Sequence, residues 1–172
     1  KIDLPKVNAT ASVVDKTKVY MVDIPKAAQS QFRVGYATGL KYDATGEYYK
    51  AGLMNFVLGG AFNSRLNLNL REDKGWTYGA RGAFTGGKQT GDYEFSSGIR
   101  GNATDSALIE IMKELNDYAE KGITDEELNF MKSAIGQRDA LRYETKKKKA
   151  GFIGNILDYN LPADYVDQQN NI

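Results

Sequence analysis

Two side chains in the segment from Leu58 to Gly79 carry the groups best suited to chemistry: the guanidinium of Arg71 and the phenol of Tyr78. Both donate hydrogen bonds at neutral pH, the first through a planar fork of N–H groups, the second through one O–H. They stand seven residues apart, with Gly75 between them. A sharp turn at that glycine could bring both to one patch of surface. The residues alone leave plainer roles open. Arg71 could satisfy the end of a short helix, and Tyr78 could be half-buried sheet packing.

What is missing narrows the chemistry further. The chain has no Cys, hence no disulfide framework and no thiolate metal site. It has no His, which excludes Ser-His-Asp and Cys-His catalysis and zinc sites of the usual His-containing kind. No loop shows the carboxylate spacing of a calcium or magnesium site. No metal ligand and no catalytic residue is therefore expected within this chain. Net charge is +1, which argues against duplex DNA or an anionic membrane as partner. Lys146 to Lys149 look like a phosphate-binding run, but four consecutive lysines in a helix span most of its circumference and read as a solvated face. No apolar run reaches the length of a membrane span.

The elements that must position Arg71 and Tyr78 follow from the hydrophobic pattern. Residues 17–24 and 31–38 read as antiparallel strands joined by a turn from Lys26 to Ser30. Phe32, Val34 and Tyr36 alternate with Arg33, Gly35 and Ala37. Asp43 is a candidate cap for a helix over 45–58, ending at Gly59-Gly60. A short helix fits 64–73, with Leu66 and Leu70 one turn apart and Gly75 as its stop. Residues 77–85 and 92–100 form a hairpin, with Tyr93, Phe95, Ser97 and Ile99 on one face. The spacing predicts an amphipathic helix over 104–121, striped by Leu108, Ile111, Met112, Leu115 and Ala119 and stopped by Gly122. Thr124 to Glu127 form a capping box for a helix running to Tyr143. More helix is expected as far as Leu161-Pro162, and another begins after it. The order β-β-α-α-β-β-α-α-α predicts an α+β fold. It implies an antiparallel sheet of at least four strands with helices packed on one face. At 172 residues, 41% apolar and 26% charged, the chain reads as one ordinary globular domain over residues 1–172.

The segment 58–79 resembles the second-half signature of the pitrilysin/insulinase family, zinc metallopeptidases with an inverted His-x-x-Glu-His motif. The matching residues are Gly59-Gly60-x-Phe62-x-Ser64-Arg65-Leu66 and Leu70-Arg71-Glu72-x-Lys74-Gly75-x-x-Tyr78. Gln29-Ser30, Thr124-x-Glu126-Glu127-Leu128 and Glu144-Thr145 extend the resemblance over nearly the whole chain. In that family two similar halves face each other across an enclosed chamber. The resemblance implies a metallopeptidase or processing-peptidase-like half-domain of the C-terminal type, and the helix begun at 163–172 with no stop signal leads us to expect that it is truncated. It implies that Tyr78 donates to the scissile carbonyl oxygen and that Arg71 binds a neighbouring substrate carbonyl. Zinc and the base would lie in the His-x-x-Glu-His half, on the same chain or a separate subunit. Gly59, Gly60 and Trp76 become candidates for the chamber wall. Arg65 reads as a structural anchor.

The expected function is thus the non-catalytic, substrate-binding half of a zinc metalloendopeptidase, inactive alone and partnered by a catalytic half and a peptide substrate. A scaffold or peptide-binding subunit of the same fold is the rival, and a nucleic-acid module using the lysine run is a more distant one. The resemblance favours the bacterial periplasm or envelope over the cytoplasm. The absence of an initiator Met at Lys1 leads us to expect that a targeting segment precedes it.

Overall fold

The computed structural model of the chain describes residues 8–10 and 12–172. Three strands, β1 (Gln29–Thr38), β2 (Thr77–Phe84) and β3 (Gly91–Arg100), form an antiparallel sheet in the order β1-β3-β2. β3 is central because both neighbours pair with it, β1 from Gln29 opposite Arg100 to Thr38 opposite Gly91. Its alternation is complete: Tyr93, Phe95, Ser97 and Ile99 are buried, while Asp92, Glu94 and Arg100 are exposed. The helices cover only the buried face. The other face carries the Arg33–Glu94 ion pair and the small residues Gly35 and Ser96.

Residues 17–24 correct the expected strand count. They join no sheet among the described residues, and Val19, Tyr20, Met21, Val22 and Ile24 are all exposed. The turn expected from Lys26 to Ser30 falls earlier: Lys26 sits at φ 66°, Ala27 N–H donates to the Ile24 carbonyl at 3.1 Å, and Gln29 and Ser30 already belong to β1. The described sheet has three strands rather than four or more. Alternation encodes which face a strand would bury, but not what it pairs with.

α1 (Glu47–Asn55) continues as a π turn, Phe56–Gly60, and α2 (Arg65–Asn67) continues as a second, Leu68–Asp73. Asp43 takes the Thr45 and Gly46 N–H groups just ahead of α1, so it caps the approach to that helix. α3 (Thr104–Lys121) matches the expected bounds, but its buried stripe is Ala107, Ile111 and Tyr118, with Leu115 partly buried against the core. Leu108, Met112 and Ala119 are exposed, so the helix is turned by about one residue from the expected stripe. The contacts explain it: Ala107 is small enough to be fully covered, and Tyr118 donates to the Met54 carbonyl at 2.7 Å.

The capping box of α4 (Asp125–Ala140) is present: Thr124 Oγ1 accepts Glu127 N–H and the Glu127 carboxylate accepts Thr124 N–H. α4 ends three residues before Tyr143, where turns lead to α5 (Lys146–Tyr159), whose first turn is capped by Thr145. Asn160, at φ 52°, ends α5, and α6 (Tyr165–Gln169) follows.

Candidate functional site

Arg71 lies in the second π turn. Lys74 N–H bonds the Asn69 carbonyl at 3.0 Å, and Trp76 N–H reaches the Leu70 carbonyl at 2.9 Å. Gly75 N–H bonds the Arg71 carbonyl, and Gly75 itself stands at φ 62°, where a Cβ is strained. Leu66 and Leu70 remain fully buried through this turn. Arg71, the next residue, emerges at the surface with 32% of its side chain exposed. Its Nη1 donates to Glu72 Oε1 at 2.7 Å, and its guanidinium lies 4.5 Å from the centre of the Phe62 ring. The ring face holds the cation by its quadrupole. Among the described residues the guanidinium makes no bond to the last helix carbonyls.

Tyr78 sits in a β-bulge. Thr77 pairs with Ile99 and Ala80 with Ser97, so Tyr78 and Gly79 together stand opposite Gly98 alone. The side chain is 91% exposed, which excludes sheet packing, and its hydroxyl has no hydrogen-bond partner among the described residues. Thr77 Oγ1 accepts Gly79 N–H at 3.0 Å and lies 2.9 Å from the Gly79 carbonyl. Ser97 Oγ is 3.0 Å from Thr77 Oγ1 and 2.9 Å from the same carbonyl. Just downstream, Asn67 Oδ1 accepts Ala80 N–H at 2.9 Å while its Nδ2 donates to the Phe62 carbonyl at 2.7 Å. The buried Asn67 therefore ties the loop that carries the Arg71 ring platform to the strand that carries Tyr78. No hydrogen bond joins Arg71 and Tyr78 directly among the described residues.

The other sequence candidates divide. Gly59 is buried, and a Cβ there would come within 2.8 Å of Gly82 N, so it serves the close approach of the first π turn to β2. Gly60 is exposed and Trp76 is half-buried against the core. Arg65 is an anchor: it donates to both carboxylate oxygens of Glu127 and to the Gly122 carbonyl, tying α2 to the start of α4. That hydrogen bonding holds Glu127 below the ordinary carboxylate range and raises Arg65. Lys146 to Lys149 are exposed, with Lys148 bonded to Glu144 and the Leu141 carbonyl. Among the described residues no group of three or more Asp or Glu could hold a metal ion, and His and Cys are absent from the sequence.

The family whose model matches this sequence is described as the peptidase M16 inactive domain, and the match covers residues 3–135. The chain belongs to this family. Solved structures agree with the M16 inactive-domain fold. The peptidase M16 inactive domain from Pseudomonas fluorescens has a TM-score of 0.73 at 25% identity, over 84% of this chain and 34% of that one. A protease from Helicobacter pylori has a TM-score of 0.74 at 19% identity, over 87% of this chain and 36% of its own. The periplasmic protease PqqL from Escherichia coli has a TM-score of 0.64 at 15% identity, over 84% of this chain and 16% of its own. The chain thus spans about a third of the first two proteins and less of the third. None of the proteins of curated function matches it. The pitrilysin/insulinase resemblance and the α+β class are borne out.

Within this M16 inactive domain, three residues around Tyr78 escape a reading of the sequence: Asn67, Thr77 and Ser97. Two left a trace. Thr77 stands two residues before Gly79, the spacing of a hydroxyl turn. Ser97 is the one polar member of the buried series Tyr93, Phe95, Ser97, Ile99, and a buried hydroxyl implies a partner. Asn67 left none, because its two partners are distant in sequence.

Proposed function

We propose that this chain is the substrate-contacting, non-catalytic half of a two-half zinc metalloendopeptidase, a single domain of the C-terminal type that hydrolyses no peptide alone. The observation that carries the reading is Tyr78: a phenol set out at a bulge, with its hydroxyl free of partners among the described residues. A donor so placed suits a carbonyl oxygen that gains negative charge during peptide hydrolysis. Arg71 has N–H groups to spare beside its bond to Glu72. It would take a neighbouring backbone carbonyl and fix the peptide in register.

Zinc does not fit this chain, which lacks His and Cys. The metal and the base belong to a His-x-x-Glu-His half, on the same polypeptide or another subunit. Gly60 and Trp76 fit a chamber wall, with Gly59 behind them against Gly82. The bacterial periplasm or envelope is the compartment we favour; PqqL, a structural neighbour from Escherichia coli, is a periplasmic protease. No described helix is long and apolar enough to cross a membrane.

The test uses the assembled two-half peptidase and a quenched fluorogenic peptide pool. Tyr78→Phe should lower kcat by about 100- to 1000-fold with the melting temperature unchanged. Arg71→Ala should lower kcat/KM. A stable Tyr78→Phe enzyme with wild-type kcat/KM would remove the site assignment. Absence of turnover in the wild-type assembly would favour the inactive scaffold.

A further inference from the structure

We infer that Thr77 and Ser97 are positioning residues for Tyr78: their two hydroxyls form a bracket that fixes the bulge and so the direction of the phenol. The inference rests on the proposed role of Tyr78. A bulge takes backbone groups out of the strand ladder, and groups left so must find other partners or water. Here the Gly79 N–H and carbonyl are both met by side chains. Thr77 Oγ1 takes the N–H at 3.0 Å, and the carbonyl has Thr77 Oγ1 and Ser97 Oγ each at 2.9 Å. The two hydroxyls lie 3.0 Å apart across the strands, and their two protons serve the three contacts among Thr77, Ser97 and the Gly79 carbonyl.

Glycine geometry does not set this bulge. Gly79 is not at positive φ, and a Cβ on it would meet nothing nearer than Asn67 Oδ1 at 3.9 Å. The hydroxyls do. Ser97 is 5% exposed, fixed on the central strand, and so ties the bulge to the stiffest part of the sheet. Thr77 and Gly79 flank Tyr78 on both sides, and the residue between them has its backbone constrained at each end. The phenol is left facing solvent. The hydroxyl pair meets the backbone groups that the bulge leaves out of the ladder, and in doing so it sets the direction of the residue between them.

The test again uses the assembled peptidase and the fluorogenic peptide pool. Thr77→Val replaces the hydroxyl by a methyl of similar size, and Ser97→Ala removes the second hydroxyl while leaving Thr77 in place. A misplaced donor costs up to about 100-fold, so each should lower kcat by about 10- to 100-fold with KM little changed. Thr77→Ser should restore it. In a Tyr78→Phe background the same substitutions should have almost no further effect on kcat, because the hydroxyl they position is gone. Equal losses in both backgrounds would overturn the inference. So would wild-type kcat in Thr77→Val and Ser97→Ala beside a crippled Tyr78→Phe, and that outcome would leave the Tyr78 assignment standing. A Tyr78→Phe enzyme of normal activity would instead remove the assignment itself. If Thr77→Val does not fold, Ser97→Ala carries the same comparison.

Discussion

The helical segment from Arg65 to Asp73 has an arginine at each end, and the two ends behave differently. Arg65 commits three N–H groups: two to the Glu127 carboxylate at 2.5 and 2.6 Å and one to the Gly122 carbonyl at 2.9 Å. Its guanidinium also lies 4.8 Å from the centre of the Tyr118 ring. Its partners come from three places far along the chain. Arg71 commits one N–H, to its own neighbour Glu72, and rests on Phe62. Residue type and helix are the same, so the difference is in the surroundings. An arginine whose donors are spent on distant backbone and carboxylate holds elements together. One whose donors remain in hand is available to something outside the chain.

Three measurements break or sharpen this contrast. The largest effect is expected for Arg65→Ala, which strands a partly buried carboxylate and should cost about 1–2 kcal/mol. A melting temperature within a degree of wild type would erase the distinction. An intermediate effect is expected from acid. Arg65, and then the Thr124 N–H, hold the Glu127 carboxyl below its ordinary range. A folded-state value below the unfolded one means the native state binds fewer protons. The stabilisation is therefore complete above the usual carboxylate value, about 4.3, and is lost as pH falls through the folded one. Urea titrations from neutral pH down to about pH 3 should show a steeper loss for wild type than for Glu127→Gln. Parallel slopes would mean that the pair carries no net stabilisation. The smallest effect is Arg71→Ala, whose unfolding free energy should stay within about 0.5 kcal/mol of wild type. A loss comparable to that of Arg65→Ala would make Arg71 a brace.

Much of the scaffold is legible in the residues because its signals are local. The capping box at Thr124, the glycine stop at Gly122 and the alternation from Tyr93 to Ile99 each act within one or two turns of chain. Residues 17–24 mislead because the run Val19 to Val22 has the β-branched and aromatic make-up of a strand, yet pairing needs a second strand that local pattern cannot supply. The stripe of α3 misleads by one residue because Leu108 keeps helical spacing with both Ile111 and Met112, as Ala107 does with Ile111. The choice between them falls to the sheet beneath and to the Met54 carbonyl that Tyr118 reaches. Arg71 and Tyr78 are legible as a pair from their motif, but their support is not. Asn67 works by reaching Phe62 and Ala80 at once, and Ser97 by facing Thr77 across the sheet. Such links exist only after the chain has folded.

The bulge at Tyr78 also sets a reading frame. Thr77 and Ala80 lie opposite Ile99 and Ser97, two residues of one buried face, so odd numbers point inward before the bulge and even numbers after it. Ala80, Gly82 and Phe84 face the helices only because one extra residue is looped out ahead of them. Deleting either Tyr78 or Gly79 would remove the extra residue and leave Ala80 opposite Ser97, so the core face of β2 would keep its register. Flattening the bulge with both residues kept would instead set Gly79 opposite Ser97 and turn Arg81 toward the core face, opposite Phe95, where Gly82 now stands. The sheet would thus absorb the loss of one residue at this corner, but not the loss of the bulge with both residues in place.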